Sequence, residues 1–202
     1  MENSVDSTYR VKAVALDFDG VITNLDIDWK DAIRQASVIV GYNIKSLITF
    51  YEASQGKPIF HTVSREIEKL ELQALKNAQL TPFIEDFLQK ICEKQIGMYV
   101  VSMQSAQVVK MFLRQHELTG YFREIITRER CPTKKSQIEH IIEETGIHPS
   151  EILLVDDSKR NITSCQELGI MCFHFARQQE PRKIKDLWNS ILNLVKNGPS
   201  RT

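Results

Sequence analysis

Five short apolar runs alternate with amphipathic stretches along the chain, and that alternation constrains its fold more than any other feature. The runs lie at 11–17, 98–102, 124–127, 152–156 and 170–175. Each has the length and near-continuous hydrophobicity of a strand buried on both faces, which is how parallel sheets read. Between them, apolar residues recur at helical spacing. Thr81-Pro82 opens "FIEDFLQKICEK", with Pro82 suited to a first helical turn. "SAQVVKMFLRQHEL" sets Val108, Phe112 and Leu113 on one stripe, "KSQIEHIIEETG" stops at Gly146 and "SKRNITSCQELG" stops at Gly169. A last helix is expected over 181–196, followed by "NGPSRT" as a frayed tail. Strands alternating with helices predict an α/β fold in three layers, a parallel sheet with helices on both faces.

One stretch breaks the alternation. Residues 26–78 contain two helical patterns, "WKDAIRQASVIVG" and "SREIEKLELQALKNA", with no strand between them. A connection of this length is too long for a simple crossover. The expected organisation is a core made of 1–25 and 79–202, with a helical insert over 26–78.

The insert follows directly on two acids. In "VKAVALDFDGV" an apolar run meets Asp17 and Asp19, separated only by Phe18. Side chains two apart along a strand share a face, so the two carboxylates aim together while Phe18 turns into packing. Gly20 allows a sharp turn there. Asp156 and Asp157 close an equally apolar run in "ILLVDDSKRN". Open parallel sheets build their sites beyond the carboxyl ends of the strands. If the two acidic ends are neighbours, four carboxylates converge, and so much buried negative charge calls for a divalent cation. Oxygen-only ligands favour Mg²⁺. Ser102 ends "MYVVS", a hydroxyl beside the free amides that open a helix, and "PTKKSQ" supplies Lys134 and Lys135 at another helix start. Acid, metal, hydroxyl and lysine together are a kit for phosphoryl transfer through an aspartate nucleophile.

This ordered set resembles the haloacid dehalogenase superfamily in its phosphatase branch. "DFDGV" matches the first motif, Ser102 in "YVVS" the second, Lys134 or its alternate Lys135 the third, and "LLVDDSKRN" the fourth. The resemblance implies a Rossmann-like sheet of order 5-4-1-2-3 and residue roles. Asp17 would attack phosphorus and form an aspartyl phosphate. Asp19 would protonate the leaving oxygen, then activate water. Asp17, Asp157 and the backbone carbonyl of Asp19 would hold Mg²⁺, with Asp156 as ligand or just behind the ligands. Ser102 and Lys134 would bind the phosphoryl group. The insert resembles the small helical cap of relatives such as phosphoglycolate phosphatase. Asn161 stands where many relatives carry an acid, which shifts weight for the metal onto Asp156 and Asp157.

The implied activity is Mg-dependent hydrolysis of a small phosphorylated metabolite, with phosphoglycolate, sugar phosphates and nucleotides as candidates. A phosphomutase of the β-phosphoglucomutase type shares the same aspartates, so the motifs leave it open as the alternative. A receiver-like signalling module fits less well, because receivers place the acid pair first and the phospho-acceptor on a later strand. Haloalkanoate dehalogenation needs neither Asp19 nor the metal pair.

Composition excludes other classes. Lys plus Arg equals Asp plus Glu at 26 each, so no global field attracts nucleic acid or an anionic membrane. No apolar run approaches the roughly 20 residues of a membrane span. "MENSVDSTYR" lacks the apolar core of a secretory signal, and Cys92, Cys131, Cys165 and Cys172 form no C-x-x-C pair. The expectation is a cytoplasmic protein with reduced thiols, whose oligomeric state no pattern encodes. His61, His140 and His174 read as structural, and Phe173 and Phe175 as core. Trp29, Tyr51, Lys57 and Arg65 lie in the insert, where contact with substrate competes with packing or surface roles.

Overall fold

The computed structural model describes residues 11–177 and 180–197. The expected leaderless start at 1–10 falls outside them, as does the tail beyond 197. Five parallel strands form one sheet: β1 (Ala13–Asp17), β2 (Gly97–Val101), β3 (Glu124–Ile126), β4 (Ile152–Asp156) and β5 (Met171–His174). Their spatial order is β3-β2-β1-β4-β5, which is 5-4-1-2-3 read from the other edge. β1 therefore lies between β2 and β4, with Leu16 beside both Val100 and Val155. This register brings the two acidic strand ends side by side.

The period-two alternation of β1 assigns its residues to two cores. Val14 and Leu16 face a layer built by α4 (Ile84–Glu93), α5 (Ala106–Gln115) and α8 (Pro181–Asn197), through Phe87, Phe112 and Trp188. Ala13 and Ala15 face α6 (Lys134–Thr145) and α7 (Lys159–Gln166), through Ile138, Ile141 and Cys165. Trp188 packs against Phe87 and Phe175 at 4.5 Å between ring centroids, and its indole N–H donates to the Pro82 carbonyl at 2.9 Å. Each large apolar side chain buried in this way contributes about 1.5–3 kcal/mol.

Between β1 and α4 lie three helices: α1 (Trp29–Val40), α2 (Leu47–Ser54) and α3 (Pro58–Leu75). They enclose a third apolar cluster of Ala32, Ala36, Phe50, Tyr51, Phe60, Val63 and Ile67. The two sequence patterns account for α1 and the later part of α3. α2 went unread because it has only eight residues, too few turns for a clear period. α3 begins earlier than its pattern, with Pro58 at its first position, where the missing N–H costs nothing.

The start of α4 differs from expectation. The helix begins at Ile84, not at Pro82, because Phe83 takes a left-handed conformation with φ of 66°. The residues before it are tied back to the loop after β1: Thr81 N–H donates to Ile22 O at 2.9 Å, and the Thr23 hydroxyl donates to Gln79 O at 2.7 Å. Both strands of chain that join the helical segment to the sheet are thereby fixed next to the acidic strand end. Among the described residues, no helix is long and apolar enough to cross a membrane.

Candidate active site

Asp17 is the last residue of β1, and Phe18 after it is fully buried, packed edge-on against Phe112 at 5.3 Å. The chain then turns back on itself. Gly20 adopts φ of 94°, and its N–H donates to Thr23 O at 2.7 Å. A Cβ at Gly20 would sit 2.4 Å from Asp157 Oδ2 and 2.9 Å from Arg177 Nη2. Only glycine permits both the turn and the approach of the second acidic segment.

Asp17 Oδ1 accepts from its neighbour's N–H, Phe18, at 2.7 Å and from Lys134 Nζ at 2.8 Å. Among the described residues, none donates to Oδ2. Burial raises the Asp17 carboxyl well above the ordinary range, and Asp156 and Asp157 push it further; Lys134 opposes them. Asp19 Oδ1 accepts from Leu25 N–H at 2.8 Å, and its Oδ2 lies 3.5 Å from Arg177 Nη2. Burial raises this carboxyl too, against the pull of the Leu25 amide and Arg177. A buried carboxyl that holds its proton more tightly than a solvated one is suited to act as a general acid.

Lys134 opens α6. The preceding Thr133 caps that helix in a reciprocal box: Thr133 Oγ1 accepts from Ser136 N–H at 3.1 Å, and Ser136 Oγ accepts from Thr133 N–H at 3.2 Å. A cap of this kind contributes about 1 kcal/mol and fixes where the first helical residue points. The Lys134 ammonium reaches Asp17, the Val101 carbonyl at 2.5 Å and Asp156 Oδ2 at 3.4 Å. Burial weakens its hold on a proton, but Asp17 and Asp156 more than compensate, so its pKa is raised. Lys135 instead projects to the surface and pairs with Glu167 at 2.7 Å. Of the two lysines that the sequence left open, Lys134 is the one beside Asp17.

Asp156 is fully buried at the end of β4. It accepts from Ser158 N–H at 2.8 Å and, on both oxygens, from Asn161 Nδ2 at 3.1 Å. Asn161 thus orients Asp156. Oxygens of Asp17, Asp156 and Asp157 lie within 4.8 Å of one another. Two oxygens opposite each other across Mg²⁺ are about 4.2 Å apart, so the three carboxylates are near the spacing an octahedral ion needs. Four carboxylates here (Asp17, Asp19, Asp156 and Asp157) face two cationic side chains, Lys134 and Arg177. With all six groups ionised, the excess negative charge is that of one divalent cation. The donor set is oxygen-only and hard, so the residues fit Mg²⁺. The Asp19 side chain stands outside this cluster.

Ser102 follows β2 and is fully buried. Its hydroxyl donates to Gln104 Oε1 at 2.6 Å, so reaching a phosphoryl oxygen requires that bond to be exchanged. One participant was not read from the sequence. Arg177, after β5, bonds Asp157 Oδ2 through Nε at 2.5 Å and Asn24 Oδ1 through Nη1 at 2.5 Å. His174, read from the sequence as structural, lies 2.9 Å from the Asp157 carbonyl. Both follow from the rule that strand ends share one edge, applied to the fifth strand as well as the first and fourth. Trp29 and Tyr51 line the cavity above the acids. Lys57 donates to Ala53 O and Arg65 is exposed.

A model of the haloacid dehalogenase-like hydrolase family matches residues 14–175. The chain belongs to that family. Phosphoglycolate phosphatase of Aliivibrio fischeri is 25% identical over 194 residues, covering 82% of this chain and 83% of that protein. Enolase-phosphatase E1 of Aquifex aeolicus is 25% identical over 211 residues, covering 83% and 91%. Among solved structures, a haloacid dehalogenase-like hydrolase from Streptococcus pneumoniae superposes with a TM-score of 0.60 at 17% identity, over 90% of this chain and 97% of that one.

Proposed function

We propose that the protein is a phosphatase that hydrolyses a small phosphorylated metabolite through an aspartyl phosphate on Asp17. The observation that carries this reading is the position of Asp17: one oxygen is held by Lys134 and the Phe18 amide, and the other is left for attack. Asp17 Oδ2 attacks phosphorus as the ester oxygen departs, and Asp19 gives that oxygen its proton. Asp19, now ionised, takes a proton from water. The resulting hydroxide attacks phosphorus, breaks the bond to Asp17 Oδ2 and releases inorganic phosphate. Lys134 balances charge on the nucleophile and on the phosphoryl oxygens. Ser102 binds one of those oxygens after turning from Gln104. Mg²⁺, held by Asp17 and Asp157 with the Asp19 carbonyl and with Asp156 beside them, would screen the substrate's charge and orient it for in-line attack.

In this reading, residues 26–78 are a cap on a core made of 1–25 and 79–202. The cap keeps water from the reacting centre and selects the leaving group. Resemblance to phosphatases across more than four fifths of the chain supports hydrolysis. A phosphate-release assay over a panel of phosphorylated metabolites, with and without Mg²⁺, tests the proposal. Release is expected only with the metal. Undiminished release by Asp17→Asn would overturn the mechanism.

A further inference from the structure

A cavity of about 480 Å³ runs from Asp17, Asp19 and Asp157 into the helical segment. Its inner surface changes character along the way. Near the strand ends it is acidic. Beyond them it is lined by Trp29 and Ile33 of α1, Ile48 and Tyr51 of α2, Ile67 of α3 and Met103. Trp29, Ile33, Ile48 and Met103 are only half-buried, so apolar surface is left uncovered in a concave site. Such a surface gains by covering itself with apolar ligand atoms.

The cations in the cavity wall are otherwise committed. Arg128 has no exposed surface, and its charge is neutralised by Glu71 at 2.5 Å. Three of its other four N–H groups go to Ser64 Oγ at 2.9 Å, Ser64 O at 3.0 Å and Met103 O at 2.9 Å. Arg177 is held by Asp157 and Asn24. Lys45 and Arg160 also line the cavity, but both are exposed, and a solvated cation binds a carboxylate weakly. Among the described residues, then, no buried cation is free to receive a second anionic group on the substrate. Beneath the cavity wall, Tyr51 Oη is buried without a hydrogen bond among the described residues, and burial holds that phenol firmly protonated.

We infer that the substrate is a phosphomonoester whose alcohol portion is uncharged and largely apolar, aromatic in the best case, seated against Trp29, Ile33 and Ile48. This rests on the phosphatase reading above and narrows its substrate class away from phosphoglycolate, whose leaving group carries a carboxylate.

The test compares kcat/KM for 2-phenylethyl phosphate, ethyl phosphate and 2-phosphoglycolate in the Mg²⁺-loaded full chain. The alcohols released from the first two are similarly acidic, so their ratio reports the cavity and not the chemistry. The phenylethyl ester is expected to exceed each of the others by about tenfold or more, as added apolar contact in a pocket does. Ile48→Glu is expected to bring the phenylethyl-to-ethyl ratio close to one. Should that variant fail to fold, the wild-type ratio decides. Equal turnover of the two alkyl esters, or preference for 2-phosphoglycolate, would overturn the inference and leave the phosphatase reading standing. Release of phosphate from none of these and from none of the metabolite panel would overturn that reading itself.

Discussion

Arg128 and Glu71 form an ion pair at 2.5 Å with neither side chain exposed to solvent. The pair joins α3 to the loop after β3, where Arg128 lies. Arg128 also donates to the Met103 carbonyl, and Glu71 Oε2 accepts from Ser105 N–H at 3.1 Å. The helical segment is therefore fastened to the loop that carries Ser102 and Gln104, and α3 cannot swing away without stranding two buried charges. Removing one partner leaves the other uncompensated, at a cost of about 3–5 kcal/mol. Glu71→Gln and Arg128→Met should each lose about that much in urea unfolding, while Glu71→Leu with Arg128→Met should recover much of the loss. A double variant no more stable than either single one would show that packing, not charge, fastens this joint.

Gly20 makes a second prediction, about the metal. An alanine Cβ there would fall 2.4 Å from Asp157 Oδ2, so either the turn opens or Asp157 moves. Both outcomes separate Asp157 from Asp17. Gly20→Ala should weaken Mg²⁺ binding by tenfold or more in calorimetry and lower activity at limiting Mg²⁺, while the secondary structure in circular dichroism stays unchanged. Wild-type affinity in this variant would remove Asp157 from the ligand set.

The four thiols should differ sharply in reactivity. Cys92 is exposed on α4. Burial pushes the Cys165 thiol up to about 11 and the Cys172 thiol up to about 12, the latter helped by Cys165 and Asp156. Burial also raises Cys131. The thiolate is the reacting species, so a disulfide reagent at pH 7.5 should label Cys92 first and Cys131 more slowly. Cys165 and Cys172 should respond only after denaturation. Rapid labelling of all four in the native protein would contradict the packing between β5 and α7.

The sheet was legible in the sequence because strands buried on both faces leave unbroken apolar runs, and all five runs are strands. Asp17, Asp19, Asp156 and Asp157 were legible because acids at the ends of such runs have no structural excuse. The choice of Lys134 over Lys135 was legible only as a slight preference from the length of the helix, since both sit in the first turn of α6 and the Thr133 cap and the third dimension separate them. Glu71 and Arg128 were invisible for a similar reason. They lie 57 residues apart, on elements whose docking no local pattern encodes. Arg177 was missed because an arginine in a polar loop carries no signal until the fold brings it to Asp157. Tyr51 and Trp29 looked like packing residues, and they do pack, each with part of its ring against the cavity.

Asp19 gives a pH-dependent prediction whose sign can be worked out. In the metal-free protein, burial raises its carboxyl above the ordinary value, although Leu25 N–H and Arg177 oppose the rise. The folded chain then binds this proton more tightly than the unfolded chain, whose aspartate titrates near about 3.9. Stability falls as pH rises through the window between those two values. Above that window the ionised and buried Asp19 imposes its full cost. Asp19→Asn keeps an oxygen for the Leu25 amide and carries no charge to desolvate. In chelator, the melting gain of the variant over wild type should grow as pH rises from about 4 towards 7 and close again as pH falls towards about 3.9. The same exchange should cut phosphatase turnover by about 10²–10⁴-fold, because the group that gives and takes the proton is gone. A melting gain that did not change between pH 4 and pH 7 would show that Asp19 titrates normally, and the argument for its role as the proton donor would lose its physical basis.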